Sequence, residues 1–93
     1  MRTIIYKYRL DQFRGITKLY MPLGAHIIKF GEQNSIPCIW VEIDTDVEET
    51  DQREIQLVYT GEVFDKKNTS TYLGTIFCGD LVIHGYELHK YPR

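Results

Sequence analysis

Apolar and polar residues alternate with a period of two along most of this chain. Glycine, proline or a polar cluster interrupts the alternation at intervals of about 8 to 14 residues. Successive side chains of a strand point to opposite faces, so this pattern suits half-buried strands. No segment sustains the 3.6-residue period of an amphipathic helix; at most a single helical turn fits near residues 47–51 or 62–66.

Seven strands are expected. Residues 2–8 alternate, with Ile4, Tyr6 and Tyr8 opposed to Thr3, Ile5 and Lys7. Residues 16–21 alternate again after the polar stretch 11–15, which predicts an N-terminal hairpin. Pro22 and Gly24 then break the pattern. Residues 25–30 form a third strand, with Ala25, Ile27 and Lys29 facing away from His26, Ile28 and Phe30. A turn over 31–35 leads to Pro37-Cys38-Ile39-Trp40-Val41-Glu42-Ile43, whose early apolar run marks a central strand. Residues 52–60 place Arg53, Ile55, Leu57 and Tyr59 opposite Glu54, Gln56, Val58 and Thr60. Residues 71–78 and 81–88 flank Gly79-Asp80, a two-residue turn signal. The fold class that follows is all-β: about seven mostly antiparallel strands in a small sandwich or partly closed barrel. At 93 residues, the chain fits one β-rich domain over residues 1–93. The tail Lys90-Tyr91-Pro92-Arg93 is expected to be loose or to pair with a neighbour.

The formal net charge of −2 gives no global reason to bind nucleic acid or membrane. The charge is unevenly placed. Glu42, Asp44, Asp46, Glu48, Glu49, Asp51 and Glu54 face Arg53 alone in one short segment, and the rest of the chain is mildly basic. No apolar run approaches the roughly 18 residues of a membrane-spanning helix. The N-terminus lacks the continuous apolar region and cleavage site of a signal peptide, so the expected location is a reducing cytoplasm. Cys38 and Cys78 are then expected to be buried thiols rather than a disulfide.

The residue constellations argue for binding rather than catalysis. Asp44-x-Asp46-x-Glu48 resembles the start of a calcium loop, but the sixth and twelfth positions hold Glu49 and Ile55 instead of glycine and a carboxylate. No metal site, catalytic residue or cofactor is expected. His84 and Glu87 fall on opposite faces of a strand, whereas Glu87 and His89 share one and could pair. Both cysteines sit in apolar strands, where thiols are inert. Tyr6, Lys7, Tyr8 and Arg9, with Lys18 and Tyr20, mix bases with aromatic rings, but alternation places Tyr and Lys on opposite faces, against a nucleic-acid surface. Asn68-Thr69-Ser70 is a glycosylation triplet that means nothing without export. Trp40, in mid-strand, is expected to pack in the core. The seven tyrosines exceed what a core needs and suit an interface. The acidic residues Asp44, Asp46, Glu48, Glu49 and Asp51 are the candidate partner-binding set, placed to steer a basic protein surface.

A set of short motifs resembles a family of small proteins of unknown function encoded by tailed phages and prophages. They are Ile5-Tyr6-Lys7-Tyr8-x-Leu10, Met21-Pro22-x-Gly24-Ala25-x-Ile27, Pro37-Cys38-Ile39-Trp40-Val41, Thr60-Gly61, Tyr72-Leu73-Gly74-Thr75 and Leu81-Val82-Ile83-His84. The chain departs from that pattern at Glu62-Val63, where a glycine and a histidine are usual, and in its extension beyond Leu88. The resemblance implies a phage product acting in the cytoplasm of a host bacterium. The expected function is an accessory protein, not an enzyme, that binds and inhibits a host defence component. The alternatives are an oligomeric binder of a small nucleotide signal, with sites between protomers, and a structural or virion-associated module. Unpaired sheet edges make a homo-oligomer by strand-edge pairing a further expectation.

Overall fold

The computed structural model describes residues 1–67 and 69–90. Asn68 of the glycosylation triplet and Tyr91, Pro92 and Arg93 of the tail lie outside the described residues. Seven strands run in order: β1 (Thr3–Arg9), β2 (Gly15–Pro22), β3 (His26–Gln33), β4 (Ile36–Asp44), β5 (Thr50–Tyr59), β6 (Ser70–Cys78) and β7 (Leu81–Leu88). They form two antiparallel sheets, one ordered β1-β4-β3 and the other β2-β5-β7-β6. The architecture is a small sandwich and not a closed barrel. No helix occurs among the described residues.

Two tight turns close the local hairpins. Asn34 and Ser35 have φ of 53° and 62° between the paired Gln33 and Ile36, as a type I′ turn requires. Gly79 has φ of 59° between Cys78 and Leu81, and Asp80 stays at negative φ, the pattern of a type II′ turn. The third strand therefore runs on to Gln33, past Gly31 where the sequence suggested a turn.

β4 is the centre of its sheet, as its apolar run predicted. Ile39, Val41 and Ile43 point inward and are fully or almost fully buried. Alternation then forces Trp40 outward, against the expectation of core packing. Its ring lies over Gly31, where an added Cβ would stand 3.2 Å from Cζ3. Lys7 and Lys29 pair with Trp40 from either side, and the tryptophan is only half-buried.

The predicted N-terminal hairpin is also corrected, because β1 and β2 belong to different sheets. Leu10 is fully buried, and its N–H donates to the Pro37 carbonyl at 2.9 Å. That contact extends the β1–β4 ladder and anchors the chain before the polar loop crosses to the second sheet. Turn chemistry indicates a reversal, but it does not determine which strand receives the freed hydrogen bonds.

A bulge decides how the sheets meet. The β3–β4 register shifts between Ile27 and Lys29, so Ile28 drops out of the ladder and Phe30 joins Ile27 on the core face. Strict alternation would have put Ile27 and Phe30 on opposite sides. Phe30 crosses to the other sheet and lies on Gly85, where an added Cβ would come within 2.9 Å of its ring. Gly74 flanks the same ring, with 3.9 Å to a built Cβ. The remaining core is Leu10, Met21, Ala25, Ile39, Val41, Ile43, Ile55, Leu57, Ile76, Cys78 and Ile83.

Two substitutions test this geometry. Gly85→Ala drives a methyl group into the Phe30 ring and should destabilise the fold by about 1–3 kcal/mol, read as a lower urea midpoint. Ser35→Gly relieves an L-residue held at positive φ and should raise stability by up to about 1 kcal/mol in the same assay.

Candidate functional site

The acidic segment becomes a corner between the two sheets. β4 reaches Asp44 and β5 starts at Thr50, so the free connection is shorter than the polar pattern suggests and covers residues 45–49. Thr45 N–H donates to the Arg2 carbonyl at 2.9 Å, and Asp46 N–H donates to Asp44 Oδ1 at 3.0 Å. Val47 N–H closes a turn on the Asp44 carbonyl at 3.2 Å. Asp44 is thus occupied with shaping the corner. Asp51 is paired with Met21 inside the ladder. Asp46, Glu48 and Glu49 remain as exposed carboxylates on the corner itself.

The structure adds two apolar neighbours that charge pattern alone did not indicate. Leu23 N–H donates to the Glu49 carbonyl at 2.8 Å, which holds the 49% exposed Leu23 beside the acidic corner. Tyr20 pairs with Gln52 at the start of β5 and is 68% exposed. The candidate contact surface therefore combines the exposed carboxylates of the corner with Leu23, tied to Glu49, and Tyr20, on the strand that leads into the same turn. The alternation of β2 was the signal that Tyr20 faces outward; Leu23 had none, because it lies in a turn.

A cleft of about 420 Å³ opens at the end of the second sheet between the start of β5 and the end of β7. Its walls include Arg53, Glu87, Lys67, His89 and Lys90, with Asp51 and Glu54. Its inner wall is an ion pair. Arg53 grips Glu87 with both Nε and Nη2, the latter at 3.1 Å from Oε1. Arg53 Nη1 also donates to the Ala25 carbonyl at 2.9 Å. The two side chains are 12% and 7% exposed. Glu87 is therefore held by Arg53. His89 Nε2 lies 2.7 Å from Thr71 Oγ1.

The outer face of the second sheet is aromatic. Tyr72 and Phe64 pack against Tyr86 at ring-centroid distances of 5.4 and 5.7 Å, and Lys66 lies over the Tyr86 ring. His84 sits beside them, with Nε2 2.7 Å from Thr60 Oγ1 and Nδ1 2.8 Å from Thr75 Oγ1. Both imidazole nitrogens thus have hydroxyl partners, one on β6 and one just past the end of β5. Cys38 and Cys78 are buried free thiols. Burial pushes the Cys38 thiol above its ordinary pKa against the pull of Lys7 and Arg9, and burial likewise raises that of Cys78. Neither has the low-pKa, exposed setting of a nucleophile. Among the described residues, no group of three or more His, Cys, Asp or Glu side chains is placed to hold a metal ion.

The family model for a domain of unknown function, DUF7352, matches residues 1–92. The chain belongs to that family. No curated protein and no solved structure matches it. The strands, the corner and the cleft of this DUF7352 domain all lie within the matched span.

The Arg53–Glu87 pair gives a sharp test. Glu87→Leu leaves a buried guanidinium with only the Ala25 carbonyl and should lower stability by about 3 kcal/mol or more. Combining it with Arg53→Met removes both charges and should recover most of the loss. Urea denaturation of the two singles and the double completes the cycle.

Proposed function

We propose that this domain acts by binding another protein, with the acidic corner as its contact surface. The observation that carries this reading is exposed Leu23, tied by its backbone to Glu49 on a corner that also exposes Asp46 and Glu48, with exposed Tyr20 on the strand that leads into that turn. Apolar anchors ringed by charge are the usual anatomy of a binding patch: the anchors supply affinity, and the charges steer encounter and select sign. The fitting partner has a basic rim around an apolar pocket. The resemblance to small phage proteins supports a more specific role, a phage accessory factor that blocks a host defence component by occupying its surface.

The cleft beside Arg53 favours a second reading, a binder of a small nucleotide signal. Lys67, His89 and Lys90 could meet phosphate there. Asp51 and Glu54 share the same walls, and Arg53 is already committed to Glu87, so the cleft is less suited to an anion than its bases suggest.

The decisive experiment compares wild type with Tyr20→Ala and with the double variant Glu48→Lys/Glu49→Lys as tagged baits in lysate of an infected host. One stoichiometric host protein should return with wild type. Tyr20→Ala should weaken its capture by about 2 kcal/mol, as loss of an anchor does. The charge reversal should slow association and remove its salt dependence. A host defence system that works unimpeded in the protein's presence sinks the inhibitor role. Capture that survives both variants moves the contact surface elsewhere.

A further inference from the structure

The four sheet edges are not alike. β3 and β6 each carry a bulge, at Ile28 and Leu73, and these two strands lie close to each other across the sandwich. β2 carries Lys18 and ends on Pro22, which has no N–H to offer. β1 carries Lys7 and Arg9 but has no bulge and no proline. It pairs with β4 through all seven residues without a register shift, and its other edge is the outer edge of the sheet. Ile4, Ile5 and Tyr6 are 42%, 53% and 52% exposed, so the strand presents apolar side chains on both faces. Ile4 and Tyr6 share the face of their partners Ile43 and Val41, which are buried, yet the second sheet leaves them uncovered.

A long, regular edge with uncovered apolar side chains selects a strand as its occupant, because only a strand satisfies a row of backbone N–H and C=O groups. We propose that this occupant is β1 of a second copy of the chain, paired antiparallel about a two-fold axis at Tyr6. Charge selects that centre. Pairing centred on Lys7 sets two lysines face to face, and pairing centred on Tyr8 sets Lys7 against Arg9. Pairing centred on Tyr6 puts Ile4 opposite Tyr8, Ile5 opposite Lys7 and Thr3 opposite Arg9, with no like charges opposed. It also uses the whole strand, whereas a centre at Ile5 leaves Tyr8 and Arg9 outside the ladder. The product is a six-stranded sheet ordered β3-β4-β1-β1-β4-β3, closed by its two-fold symmetry. This inference is independent of the acidic corner, which lies on the connection between β4 and β5.

Sedimentation equilibrium of the full chain tests it. Wild type should show a mass of about 22 kDa, twice the 11.0 kDa of one chain, in reversible exchange with monomer. Ile5→Lys creates two lysine pairs across the axis and should weaken the dimer about tenfold or more. Ile5→Glu sets a carboxylate opposite each Lys7 and should leave a dimer at least as tight as wild type. Tyr6→Cys brings two thiols to Cα atoms about 5 Å apart and should give a disulfide-linked dimer on mild oxidation, whereas Thr3→Cys should not. A wild-type monomer at hundreds of micromolar overturns the proposal. So do open-ended polymers in place of a dimer, equal weakening by the Lys and Glu variants, or crosslinking at Thr3→Cys and not at Tyr6→Cys. Far-ultraviolet circular dichroism of each variant confirms that the exposed substitutions leave the strands intact.

Discussion

The sandwich is held in register by the Phe30 ring lying on the bare backbone of Gly85. A side chain at 85 would hold the sheets apart at this point, and a smaller residue at 30 would leave a void between them. The contact exists only because the bulge at Ile28 turns Phe30 inward. One irregular residue therefore sets which face of β3 meets the second sheet. The sheets close tightly along the β3 and β6 edges, while the core-side residues of β1 at the far edge stay open to solvent. That asymmetry leaves β1 as the unfinished side of the molecule.

Charge is used in two opposite ways. Arg53 and Glu87 are buried together, with three guanidinium nitrogens engaged, so their role is to fix the geometry where β5 and β7 meet the turn before β3. A buried pair of this kind adds little net stability over a well-packed apolar pair, but it strongly penalises any arrangement that separates the partners. The carboxylates at 46, 48 and 49 do the reverse. They remain in water, contribute little to folding, and are free to act on a partner at a distance. The same residue types thus serve structure in one place and recognition in the other, and burial is what divides them.

Much of the architecture was legible along the chain. All seven strands, the central position of β4 and the Gly79-Asp80 turn follow from alternation and turn residues. The faces of β5 also follow, since no bulge interrupts its pairing with β2 or β7. The failures have different causes. The pairing of β1 with β4 depends on hydrogen-bond partners distant in sequence, the inward turn of Phe30 on a bulge that no residue type announces, and the outward placement of Trp40 on its alternation with the buried Ile39 and Val41. The candidate site divides in the same way. The acidic cluster is visible in composition, but the sequence does not tell that Asp44 shapes the corner, that Asp51 borders the cleft, or that Leu23 lies beside Glu49.

The order of residues alone dictates a protein built of strands, because a period of two can bury apolar surface only on a pleated sheet. It also fixes the Gly79-Asp80 turn, whose first residue needs positive φ, and the placement of negative charge in one connection. Which strands share a sheet, which glycine receives the Phe30 ring and which carboxylates face solvent were settled only as the chain packed in three dimensions. Local pattern specifies the faces of a strand, but its neighbours are chosen by all strands competing at once for a limited set of edges and one shared core.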